Sequence, residues 1–187
     1  MSNDLEATFR AAAVQDASVW LDRARSTEKA CALIEQAGAG GADIVALPES
    51  FIPGFPYWVF VKPLGETTSW HEQLHHQSVE VPGPEVDALV AAARRAGVIA
   101  VVGVTESEPG SMGTLYNTNV VVGPDGLLGK HRKLVATWGE RVVWAGSPRR
   151  LALAPPRRLE VAPPAVGFSV LRVIADRAPR CRSGAEP

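Results

Sequence analysis

Three side chains are of types that could do chemistry where they stand: Glu49, Lys133 and Glu140. Glu49 ends a short apolar run in Leu47-Pro48-Glu49, and strand ends in α/β proteins present functional groups to a crevice. The other reading is a solvated carboxylate on a surface loop. Lys133 closes the segment Gly129-Lys130-His131-Arg132-Lys133-Leu134. Strand alternation puts Lys133 and His131 on one face and Arg132 on the other, although charges at a strand end also serve to discourage edge pairing. Glu140 follows in Thr137-Trp138-Gly139-Glu140. It is near enough to hold the Lys133 ammonium in one place, or to form a weak surface ion pair.

A nucleophile is harder to find. Cys31 falls inside a helical pattern on its apolar face, as a small buried hydrophobe does. Cys181, between Arg180 and Arg182, has neighbours that favour the thiolate, but nothing around it predicts a rigid site. His71-Glu72-Gln73-Leu74-His75 fits H-E-x-x-H, in which two histidines on one helical turn bind zinc and the glutamate activates water. The flanks Pro63, Gly65, Thr67 and Thr68, and Val79 to Pro84 beyond, leave little room for a helix, so coincidence is the expectation. The run Phe51-Ile52-Pro53-Gly54-Phe55-Pro56-Tyr57-Trp58 comes directly after Glu49. Its Phe55, Tyr57 and Trp58 could wall a small apolar pocket, or make a hydrophobic plug or subunit contact.

Elements that would position these groups alternate between strand and helix. Residues 8–15 read as a strand, 20–37 as a helix stopped by Gly38, Gly40 and Gly41, and 43–47 as a buried strand. Pro84 to Ala96 reads as a helix between a first-turn proline and Gly97, and Val98 to Val104 as another buried strand. Leu115 to Val122 and Leu127 to Lys133 flank Gly123-Pro124-Asp125-Gly126, a hairpin turn signal. The stretch between Glu49 and Pro84 is expected to be loop. The order β-α-β-loop-α-β-β-β specifies a mixed α/β layer fold.

The chain has 187 residues, 46% hydrophobic and 21% charged, with a formal net charge of −1. That supports a buried core and gives no overall basic bias toward nucleic acid or anionic lipid. Two cysteines cannot make a disulfide scaffold, the N-terminus lacks a secretion signal, and Val98 to Val104 is too short to span a bilayer. A soluble cytoplasmic protein is expected. Charge divides unevenly: residues 1–146 carry a net −6, residues 147–187 a net +5 with 7 of the 15 prolines. That Arg/Pro/Ala-rich tail is expected to be irregular, save for one strand over 165–174.

Taken together the segments resemble the nitrilase family of the carbon–nitrogen hydrolase superfamily. The matching stretches are Ala13-Val14-Gln15, Leu47-Pro48-Glu49 with the aromatic run behind it, Val81-Pro82-Gly83-Pro84 and Tyr116-Asn117-Thr118. Gly129 to Leu134, Thr137 to Glu140 and Trp144-Ala145-Gly146 also match. The resemblance implies an α/β fold, a four-layer α-β-β-α sandwich of which residues 8–146 supply only the N-terminal half. It implies a nitrile or amide substrate, homo-oligomers, and no metal or organic cofactor, nucleic acid or membrane. It assigns Glu49 as general base, Lys133 as the cation that stabilises developing negative charge, and Glu140 as the carboxylate that orients the lysine. The family's nucleophilic cysteine belongs near residues 165–174, where this sequence has Phe168-Ser169-Val170; Cys181 is displaced and its continuation does not match. The expectation is a truncated, inactive member, with residues after about Gly146 out of frame and apolar faces left uncovered. The alternatives are a non-catalytic fragment that associates with intact subunits, and a zinc hydrolase using His71, Glu72 and His75.

Overall fold

The computed structural model describes residues 9–147 and the short strand Ala152–Leu153. Six strands form one sheet in chain order: β1 (Ala11–Ala13), β2 (Ile44–Ala46), β3 (Ile99–Ser107), β4 (Leu115–Gly123), β5 (Gly126–Arg132) and β6 (Ala152–Leu153). β1, β2 and β3 pair in parallel, and β3 through β6 pair antiparallel. β6 falls within the tail expected to be irregular. It occupies the free edge of β5 with two residues that lie between the prolines of that region and so keep their backbone donors. The strand anticipated over 165–174 lies outside the described residues.

Two helices cover one face. α1 (Arg23–Ala39) starts where the Asp22 side chain accepts from Arg25 N. That start moves Trp20 out of the anticipated helix. It is instead about half exposed and meets the edges of Trp58 and Trp70. α4 (Pro84–Ala96) has Pro84 in its first turn, acids at Glu85 and Asp87, bases at Arg94 and Arg95, and the left-handed Gly97 after its end, each suited to its place on the helix dipole. The helices touch each other closely. A Cβ on Gly38 would lie 2.8 Å from the Ala96 methyl. Ala30, Ile34, Leu89 and Ala93 then pack with Val45, Val102, Val104 and Val120 into one buried core.

The stretch expected to be loop holds two further helices, α2 (Trp58–Val61) and α3 (Thr68–His76). α3 contradicts the expectation drawn from its flanking prolines and glycines. Its buried Leu74, with Trp70 beside it, anchors it to a second core containing Leu21, Trp58, Leu115, Ala136 and Trp144. The sheet face opposite α1 and α4 keeps Ile44, Ile99, Val101 and Val121 only half-buried. The described residues thus supply one sheet and one helical layer, two of the four layers anticipated. Among them no helix is long and apolar enough to cross a membrane.

Candidate active site

Glu49 is presented by a local mismatch between two parallel strands. Leu47 N donates to Val101 O at 2.9 Å and Ile52 N donates to Gly103 O at 3.1 Å. One side advances five residues while β3 advances two, so Pro48 to Phe51 must loop out of the ladder. The loop lies directly on Gly103. A Cβ there would sit 2.5 Å from both Pro48 O and Ser50 N. Ser50 completes the turn at φ 50°, with its buried hydroxyl 2.8 Å from that of Thr105. The result throws the Glu49 carboxylate over the sheet face that α1 and α4 leave open.

Lys133 arrives on the same face from the end of β5. Its backbone N donates to Asn117 O at 2.7 Å. Its Nζ donates to Glu49 Oε1 at 2.9 Å and to both oxygens of Glu140 at 2.8 and 3.0 Å. Glu140 is buried in a 3-10 turn, Trp138–Val142, where its side chain also accepts from Thr137 N at 2.7 Å. Partial burial pushes the Lys133 ammonium's pKa down, but the hydrogen bonds it donates to Glu140 and Glu49 outweigh it and hold the pKa above the ordinary value. The structure therefore brings Glu49, Lys133 and Glu140 within hydrogen-bonding distance, Glu49 from 84 positions before the lysine and Glu140 from seven after it.

One member of the cluster was not singled out by the sequence. Asn117 on β4, buried, donates from Nδ2 to Glu49 Oε1 at 2.6 Å. The sequence had marked it only as part of the matching stretch Tyr116-Asn117-Thr118, with no role for its side chain. The opposite face carries a second set. Glu106, fully buried, accepts from Thr118, Lys130 and Arg132, tying β3, β4 and β5 together just before Lys133. Burial pushes the Glu106 carboxyl's pKa up, but hydrogen bonds from Arg132, Lys130 and Thr118 hold it below its usual range.

The aromatic loop divides between two roles. Phe55 and Tyr57 line a cleft of about 410 Å³ with Gln15, Asp16, Pro48 and Glu49. Trp58 does not line that cleft. It is 3% exposed and packs against Trp20, Trp70 and His71, because α2 turns its indole inward. His71 and His75 do lie one turn apart on α3. However, His71 Nε2 accepts from Trp58 Nε1 at 3.2 Å, and burial pushes the imidazole pKa down. Among the described residues no three His, Cys, Asp or Glu side chains, Glu72 included, are grouped to hold a metal ion. Cys31 packs on the helical core, on the other side of the sheet from Lys133, and burial pushes its thiol up. Cys181 lies outside the described residues.

The carbon-nitrogen hydrolase family pattern matches residues 10–168. The chain belongs to that family. A nitrilase from Bacillus sp. (strain OxB-1) is 41% identical over 137 residues, covering 73% of this chain and 39% of that protein. An aliphatic nitrilase from Rhodococcus rhodochrous is 40% identical over 139 residues, covering 73% and 37%. Among solved structures, a CN-hydrolase superfamily protein from Xanthomonas campestris, with an arsenic adduct in its active site, superposes with a TM-score of 0.58 at 26% identity, covering 76% of this chain and 48% of that one. This carbon-nitrogen hydrolase chain spans about two fifths of the length of the curated nitrilases it matches. The match to the Xanthomonas structure agrees with the N-terminal half of the sandwich.

Proposed function

We propose that residues 8–146 carry the Glu–Lys–Glu part of a site that hydrolyses small organic nitriles to carboxylic acid and ammonia. The supporting observation is the Lys133 ammonium held 2.9 Å from Glu49 and 2.8 Å from Glu140. In this reading a cysteine thiol gives its proton to Glu49 as sulfur bonds to the nitrile carbon, and the π pair moves to nitrogen. Lys133, fixed by Glu140, faces the developing negative charge. Glu49 returns the proton to nitrogen, giving a neutral thioimidate. A first water then displaces ammonia and leaves a thioester, and a second releases the acid and regenerates the thiol. Phe55 and Tyr57 are the apolar wall for the organic group. The work falls to a cytoplasmic enzyme, in keeping with the sparse cysteines.

In the sequence Cys31 falls within α1 and Cys181 is displaced from the 165–174 segment where the chemistry needs its thiol, so the polypeptide alone is read as inactive. A chimera tests both halves of the proposal: residues 8–146 joined to the C-terminal half of the Bacillus nitrilase, assayed for ammonia release. Turnover by the chimera, lost in Glu49→Gln, Lys133→Met and Glu140→Gln, is the expected result. A chimera that folds and binds nitriles without turning over would refute the site. Ammonia release by the unaltered chain would refute its inactivity. The half-buried Ile44, Ile99, Val101 and Val121 favour a second reading. In it the chain associates with intact subunits without catalysing, which co-purification with unchanged turnover per intact subunit would show.

A further inference from the structure

We propose that Asn117 is a positioning residue that gives the two oxygens of Glu49 different tasks: Oε1 is held by the protein, and Oε2 is the oxygen that exchanges protons. The inference rests on the reading of Glu49 as a base. A carboxylate only accepts hydrogen bonds, so the Asn117 carboxamide must turn its nitrogen toward it, and Nδ2 reaches Oε1 at 2.6 Å. Lys133 Nζ reaches the same oxygen at 2.9 Å. Oε2 receives no hydrogen bond from the described residues, while the Glu49 side chain is 47% exposed and borders the 410 Å³ cleft. Two donors on Oε1, one of them cationic, make it the weaker proton acceptor. Basicity is thereby left on Oε2.

Without the carboxamide only the Lys133 ammonium, itself fixed by Glu140, marks Oε1. A carboxylate held by that single donor is free to rotate about it. Asn117 also accepts the Lys133 backbone N–H, so a single position on β4 sets the lysine through its main chain and the glutamate through its side chain. Burial of Asn117, at 5% exposure, shields both bonds from competing water.

The test needs no turnover, so it stands apart from the chimera assay. The full chain, labelled on Asn side-chain nitrogen and Glu Cδ, is titrated with acetamide as a neutral N–H donor. One Asn117 Nδ2 proton is expected downfield and protected from exchange, a signature kept in Lys133→Met and lost in Glu49→Ala. Acetamide is expected to shift Glu49 Cδ while the Asn117 proton stays in place. In Asn117→Leu the acetamide shift at Glu49 is lost with the backbone spectrum retained. Asn117→Ser, whose hydroxyl is too short to reach Glu49, gives the same loss if the leucine variant does not fold. Displacement of the Asn117 proton by acetamide, an unchanged response in both Asn117 variants, or no response at Glu49 in the unaltered chain would each overturn the proposal.

Discussion

Gly103→Ala is the substitution that most directly tests how Glu49 is held. The added methyl would lie 2.5 Å from Pro48 O and Ser50 N and 2.9 Å from Glu49 C. Ordinary carbon contacts begin at about 3.5 Å, so the loop or β3 must retreat by about 1 Å. Neither side is free to do so. The loop is tied to β3 by the bonds from Leu47 N to Val101 O and from Ile52 N to Gly103 O, and β3 returns one from Thr105 N to Ile52 O at 2.8 Å. Overpacking of this kind costs about 1–3 kcal/mol. Alanine recovers about 0.5–1 kcal/mol because it loses less backbone freedom than glycine on entering a strand. The net expectation is a loss of about 1–2 kcal/mol, read from urea unfolding followed by tryptophan fluorescence. Gly65→Ala is the control, since a Cβ there meets nothing within 4 Å, and surface changes of that kind stay within about 0.5 kcal/mol. Equal stability of the Gly103 variant and the unaltered chain would refute the close approach, and with it the account of how Glu49 is thrown forward.

Lys133→Met removes the cation between two carboxylates and strands buried Glu140 with only the Thr137 N–H. Breaking a fully buried pair costs about 3–5 kcal/mol, and Lys133 is 30% exposed, so a loss of about 2 kcal/mol is expected in the same unfolding assay, partly recovered in Lys133→Met/Glu140→Gln. Because the Lys133 pKa is raised on folding, its contribution is complete below the unfolded value of about 10.4 and fades as pH climbs through the folded value. The gap between the unaltered chain and Lys133→Met should therefore narrow only in alkali. The Glu106 pKa is lowered on folding, so its contribution is present above about 4.3 and is lost as pH falls through the folded value. A Glu106→Gln variant should be less stable at neutral pH and show a shallower acid limb; an unchanged acid limb would count against the buried charge network.

What could be read from the sequence is what short-range chemistry decides. Pro84 and Gly97 bound α4 because a missing donor and a left-handed φ act within a single turn. Gly123-Pro124-Asp125-Gly126 fixes the β4–β5 hairpin in the same way, whereas the face on which Lys133 emerges also depends on the one-residue register shift opposite Val121 and Val122. Glu49 stood out through the resemblance that Leu47-Pro48-Glu49 carries, since its position past a buried strand alone reads equally as a solvated carboxylate. The failures concern partners distant in the chain. α3 forms against its own flanks because Leu74 and Trp70 are claimed by an aromatic core assembled from residues 21 to 144, and a window of local sequence contains none of that driving force. Trp58 reads as a pocket wall from its neighbours Phe55 and Tyr57, yet the same core takes it inward. Asn117 is the sharpest case: its stretch Tyr116-Asn117-Thr118 stands out in the sequence, but its side chain gains a partner only through a carboxylate 68 positions earlier. The charged groups of the site thus announce themselves by type, whereas the neutral group that separates the two Glu49 oxygens becomes visible only once the sheet register sets it opposite them.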